Sequence, residues 1–174
     1  MGMGMGGVTR LVLGPAGRSV AVEQAGGEIA LLRSARPTAS MDHGLACVQI
    51  SATEFSIDSD RGGHGMQVQT AMQIEGLSHT RKHVLAWSSG GEVQVYGLTR
   101  EGPVLKHSFV RGNARKPHGM VLGGKALYEC SVGGLTMLDL AGRALHELPV
   151  EAAVGPPSCV ALRGSTLLAL TRDG

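Results

Sequence analysis

The stretch HVLAWSSGGEVQVYGL, His83 to Leu98, decides how the rest of the chain is read. Two short runs rich in Val, Tyr and Trp flank a Ser-Ser-Gly-Gly link. Such side chains favour extended backbone, and glycine adopts the positive φ that a tight hairpin turn demands. The stretch is a β-hairpin. The same pattern returns at SVAVEQAGGEIALL, Ser19 to Leu32, and at KALYECSVGGLTMLDL, Lys125 to Leu140. Helical period is scarce elsewhere, while short apolar or alternating runs bounded by glycine recur: VTRLVL, LACVQI, MQVQTAMQI, SCVAL and TLLALT. The chain is therefore expected to be all-β, and its 27 glycines are mostly turn chemistry.

The turns also recur along the chain. The second glycine of each pair falls at Gly27, Gly91 and Gly134, and a further turn signal ends at Gly174. After a wider first gap these are separated by roughly 40 to 45 residues, the period of a WD40-type propeller blade of four short strands. The clearest blades span 73–110 and 118–150. The first has strands at MQIEGL, HVLAWSS, EVQVYGL and VLKHSFV; the second has HGMVLGG, KALYECSVGG, LTMLDL and ALHELPV. Leu138-Asp139-Leu140 stands where such a blade carries its Trp-Asp ending, without the Trp. Residues 34–70 are expected to hold an outer strand, LACVQI, with an irregular insertion, and 1–7 a flexible Gly/Met tail. The whole, 8–174, is read as a partial WD40-type β-propeller of about three to four blades. Its ring is not closed, because the sequence stops at LTRDG with the return strand missing, and a longer chain is expected to complete it.

Composition excludes several classes. With 16 basic and 14 acidic residues the net charge is +2, so no strong field draws the chain to nucleic acid or an anionic membrane. At 43% hydrophobic and 17% charged it has material for a packed core. Three cysteines, Cys47, Cys130 and Cys159, form no close pair, which suits reduced, buried thiols in an intracellular protein rather than disulfides or structural zinc. No apolar run approaches a membrane span, and no signal peptide is apparent.

Four motifs imitate functional sites. MGMGMGG matches a dinucleotide fingerprint, but no strand precedes it. Gly119 to Lys125 resembles a phosphate loop, yet Ala126 replaces the magnesium-binding hydroxyl and Lys125 begins a strand. Asp58, Asp60 and Gly63 occupy calcium-loop positions, with Gly62 and Gln69 where oxygen ligands belong. His79 and His83 share a face only on a helix, and SHTRKHVLAW is a loop entering a strand, which gives them a surface or turn role. Catalytic, cofactor and metal residues are accordingly expected to be none. The loop VRGNARKPHG gathers Arg111, Arg115 and Lys116 without an aromatic residue for base stacking, and is a candidate contact for an acidic protein partner. Trp87 is expected in the core.

The residues Val84-Leu85-Ala86-Trp87, Val93-Gln94-Val95-Tyr96 and Gly155-Pro156-Pro157 stand where matching strands and a turn occur in one known family. From Met66 to Gly174 the chain resembles the second propeller of the intraflagellar transport protein 140 family, WD-repeat subunits of intraflagellar transport complex A. That resemblance implies a non-catalytic scaffold binding other protein subunits of a transport complex, with membrane cargo reached through adaptors. It implies a location in the cytoplasm, the cilium or flagellum and its basal region. A propeller-type enzyme with an incomplete site and a kelch-like substrate adaptor are the alternatives. The kelch pattern is disfavoured by the single Trp and the shorter period.

Overall fold

A computed structural model of the chain describes residues 8–13, 19–27, 29–33, 38–42, 44–59, 65–112, 117–131, 134–148, 157–163 and 166–171. Every regular element among them is a strand. The Gly/Met tail lies outside the described residues.

The chain divides into two units, Met1–Arg36 and Pro37–Gly174. The first holds β1 (Val8–Leu13), β2 (Ser19–Gln24) and β3 (Ile29–Arg33), paired antiparallel in that order. The second holds three four-stranded meanders and a hairpin. They are β4 (Ala39–Asp42) to β7 (Met66–Gln69) with β5 (Leu45–Ser51) and β6 (Glu54–Ser59); β8 (Gly76–His79) to β11 (Gly102–Val110) with β9 (His83–Trp87) and β10 (Glu92–Thr99); β12 (Gly119–Gly123) to β15 (Ala144–Leu148) with β13 (Ala126–Ser131) and β14 (Gly134–Asp139); and β16 (Pro157–Arg163) with β17 (Thr166–Thr171).

The first strand of each sheet lies against the first strand of the next: β4 on β8, β8 on β12, β12 on β16. Sheets placed side by side through their innermost strands are the arrangement of propeller blades. The sheet β8–β11 is covered on both faces. Alternation along β9 and β10 sends Val84, Ala86 and Tyr96 to one side, where Cys47, Phe55, Ile57 and Val68 of the preceding sheet meet them. Leu85, Trp87, Val93 and Val95 go to the other side, against Met120, Leu122, Leu127 and Leu138. A strand buried on both faces needs apolar residues at every position rather than every second one, which is why HVLAW is an unbroken run. Phe55 and Tyr96 meet edge to face with ring centres 5.6 Å apart, a favoured aromatic geometry.

The segment expected to carry an outer strand and irregular material differs from that expectation. LACVQI is the second strand, not the outer one, and the sheet β4–β7 is a full meander. Its third strand, EFSIDS, buries only Phe55 and Ile57 fully and alternates them with Glu54, Ser56 and Asp58. Half of that strand is polar, so it lacks the continuous apolar signal of β9. In the next sheet the innermost strand begins at Gly76 rather than at Met72; the residues before it form a link in which Ile74 N–H donates to Ala52 O (2.8 Å) and Glu75 N–H to Trp87 O (2.8 Å).

Glycine is required at two kinds of position. Gly27, Gly91 and Gly134 all have positive φ (78°, 90° and 121°), as the hairpin reading demands. Gly76, paired across the ladder with Trp87, is required by space instead. A Cβ there would stand 1.9 Å from Trp87 Cζ2. The bare backbone is the floor on which the indole lies. Gly76→Ala is expected to destabilise by about 3 kcal/mol through overpacking, seen as a lowered urea midpoint, while Gly112→Ala, with nothing within 4 Å of its added carbon, stays within experimental error of the parent.

Candidate protein-interaction surface

The motifs that imitate catalytic or metal sites resolve into local structure. Gly119–Gly123 is strand β12, Gly124 (φ 62°) and Lys125 form the turn, and β13 starts at Ala126. No helix follows to present backbone N–H groups to a phosphate. Asp58 accepts from Ser56 Oγ (3.2 Å); Asp60 and Gly63 lie outside the described residues. Among the described residues no three His, Cys, Asp or Glu side chains gather as a metal would need.

His79 departs from its expected surface or turn role. It is buried on β8, with Nδ1 2.8 Å from Ser40 Oγ and Nε2 3.0 Å from the Asp42 carbonyl of β4. A carbonyl only accepts, so Nε2 carries the proton, and in the neutral ring the Ser40 hydroxyl donates to Nδ1. The pair imitates a nucleophile and its base. Both ring nitrogens are nevertheless spent on fastening one innermost strand to the next. Ser78, one residue earlier, does the same on the other side by accepting from Leu122 N–H at 2.9 Å. Gln49 fastens the link between sheets: Nε2 donates to Ile74 O (3.2 Å) and Ser51 O (2.9 Å), while Oε1 accepts from Thr38 N–H (3.1 Å).

Of the expected contact loop, Arg115 and Lys116 lie outside the described residues. Arg111 is drawn inward. It follows the outer strand β11, where its N–H donates to Gly91 O at 2.7 Å, and its Nε sits 2.6 Å from Oε2 of Glu129 on β13. The Glu129 side chain is 0% exposed and that of Arg111 13%. A carboxylate withdrawn from water needs its partner charge close by. The pair thus joins two sheets around the rim of their shared apolar core. Arg111→Ala is expected to cost about 3 kcal/mol, since it takes a close cation away from a buried carboxylate; chemical denaturation measures it, and the double change Arg111→Leu with Glu129→Leu recovers much of the loss.

Asp139, in the place of the Trp-Asp ending, closes the β14–β15 turn. Oδ1 accepts from Arg143 N–H (2.9 Å) and Ala141 N–H (3.0 Å), and Oδ2 lies 2.6 Å from Arg143 Nε. The Arg143 backbone bond, followed by its side chain, holds the carboxyl below the usual range. Cys47 is buried, and desolvation, with the Asp58 carboxylate adding to it, pushes its thiol up to about 12. A raised value keeps the sulfur protonated and unreactive at pH 8. Iodoacetamide at that pH is expected to leave Cys47 unmodified in the folded protein and to alkylate it once denaturant is added, as mass spectrometry of the peptides reads directly.

Comparison with solved structures defines the class. The fold matches the beta-propeller domain of Cps50 (Swd1) from Myceliophteria thermophila with TM-score 0.61 at 14% identity, covering 97% of this chain and 64% of that one. It also matches BamB from Moraxella catarrhalis (TM-score 0.61, 14% identity, 93% and 55%) and the computationally designed Ika4 protein (0.59, 9%, 82% and 89%). The chain spans less than two thirds of the length of either natural structure. It is a partial, open β-propeller of the WD-repeat type. A family model, the IFT140 second beta-propeller, matches residues 43–174, and the chain belongs to that family, whose propeller is a scaffold-type, protein-interaction domain. The match begins upstream of Met66, at residue 43, and takes in β5 to β7. No curated protein matches the chain.

Proposed function

We propose that the chain is a non-catalytic scaffold element of intraflagellar transport, holding other protein subunits of the transport complex at the cilium and its basal region. The family match over 43–174 carries this reading. The side-chain chemistry supports it: Ser40 with His79, which imitate a catalytic pair, and the ion pair of Arg111 with Glu129 are engaged in joining one sheet to the next. What remains for recognition is the rigid surface of turns and outer strands. Arg115 and Lys116 are offered as one contact point for an acidic partner.

Affinity purification of the protein from ciliated cells tests the proposal. Recovery of intraflagellar transport subunits, with the tagged protein at the ciliary base, is the expected outcome. Recovery of none of them, or a location away from the cilium, overturns it. Charge reversal at Arg115 and Lys116 is expected to thin the set of recovered subunits, and an unchanged set removes that loop from the contact surface.

A further inference from the structure

A second basic site stands on the sheet β8–β11, where β8 turns into β9. Thr80 fixes the turn: its Oγ1 accepts from Lys82 N–H (3.3 Å) and His83 N–H (3.2 Å), and its own N–H donates to His83 O (2.8 Å). The Lys82 carbonyl accepts from Leu98 N–H at 2.8 Å. The Lys82 backbone is thus held at both ends of the residue while its side chain is exposed. His83 stands opposite Gly97 on β10, and Gly97 opposite Val104 on β11. The β10–β11 register slips between Val95 and Tyr96, which leaves Lys106 as the extra, bulged residue. Gly97 has no side chain, so the Lys106 stem lies over it; a Cβ on Gly97 would be 3.0 Å from Cε and 3.1 Å from Cγ. His107 follows next on the strand.

Four basic side chains are therefore gathered from one turn and two strands, β9 and β11, across the bare Gly97 of β10. Burial comes first, and then His107, Lys82 and Lys106, in holding the His83 imidazole below its usual range. Its Nδ1 is buried and has no hydrogen-bond partner among the described residues. None of the four forms an ion pair with a described residue. In a chain of net charge +2 this is a local concentration, not a general basicity. Val104 beside it is 45% exposed.

We propose that the strip formed by Lys82, His83, Lys106 and His107, with Val104 at its side, docks an acidic segment of a partner protein. Carboxylates of the segment face the two ammonium groups, and an apolar side chain covers Val104. The strip is too narrow for a lipid surface, which draws on clusters of about four to eight Lys or Arg; here two lysines stand with two half-buried imidazoles. The inference rests on the scaffold reading and names one of its contact surfaces.

Fluorescence anisotropy with the purified protein and a labelled peptide of alternating Glu and Val tests it. Saturable binding is expected, weakened by added salt, absent for the matching Gln-Val peptide, and reduced roughly tenfold by Lys82→Glu with Lys106→Glu. Circular dichroism verifies that the double variant, altered only at exposed side chains, keeps its fold. Equal affinity of parent and double variant, or equal binding of the Gln-Val peptide, overturns the proposal. So does strong binding to phosphatidylcholine vesicles containing phosphatidylserine with none to the acidic peptide, which assigns the strip to a membrane. In the pull-down, a double variant that recovers every subunit the parent recovers removes the strip and leaves the scaffold reading standing. A parent that recovers no transport subunit counts against the scaffold reading, and the peptide measurement still decides the strip.

Discussion

The structure depends on burying both faces of a four-stranded sheet. An antiparallel meander of short strands has one hydrophobic face too many to stand alone in water. In β8–β11 the odd residues of β9 face one neighbour and the even residues the other, so Leu85 and Trp87 need the sheet β12–β15 as much as Val84 and Ala86 need β4–β7. Each large aliphatic or aromatic side chain so buried contributes about 2 kcal/mol. Order in this part of the chain is consequently a property of adjacent sheets together, and each sheet is the other's solvent shield.

Around those apolar contacts the polar groups follow one rule: where two sheets meet, a side chain of one satisfies the backbone or a charge of the other. His79 reaches Asp42 O, Ser78 holds Leu122 N–H, Gln49 holds Ile74 O, and Arg111 meets Glu129. Such bonds add modest net stability each, and leaving one unmade costs more than making it returns. They therefore fix the angle and register at which apolar faces meet. A scaffold benefits from that division of labour, because residues that fix register are inside while turns such as Thr80–His83 remain outside in a set geometry.

Much of the architecture was legible in the letters. Gly-Gly links at Gly27, Gly91 and Gly134 named the hairpins because few other residues tolerate the backbone angles found there. HVLAW and EVQVY named two paired strands of one blade, and Trp87 lies in the core as expected. The sheet β4–β7 was less legible, since EFSIDS presents apolar residues on one side only and its alternate positions are polar. The role of His79 was hidden for a different reason. Its partners Ser40 and Asp42 stand far away in sequence, on a strand whose side chains give no sign of what they meet.

The sequence by itself determined the class of the fold: local backbone preference sets the strands, glycine sets the turns, and the spacing of turns sets the blade. Only the tertiary structure decided which polar residues are interior fastenings and which are surface. Lys106 lies within β11 and Arg111 just past its end, both cations of one short stretch, and nothing in their neighbours along the chain separates them. One is turned in by a buried carboxylate eighteen residues on, the other is laid outward over a glycine by a bulge in the ladder. Charge and spacing are written along the chain, but the partner that gives a charge its role is supplied by the strand folded against it.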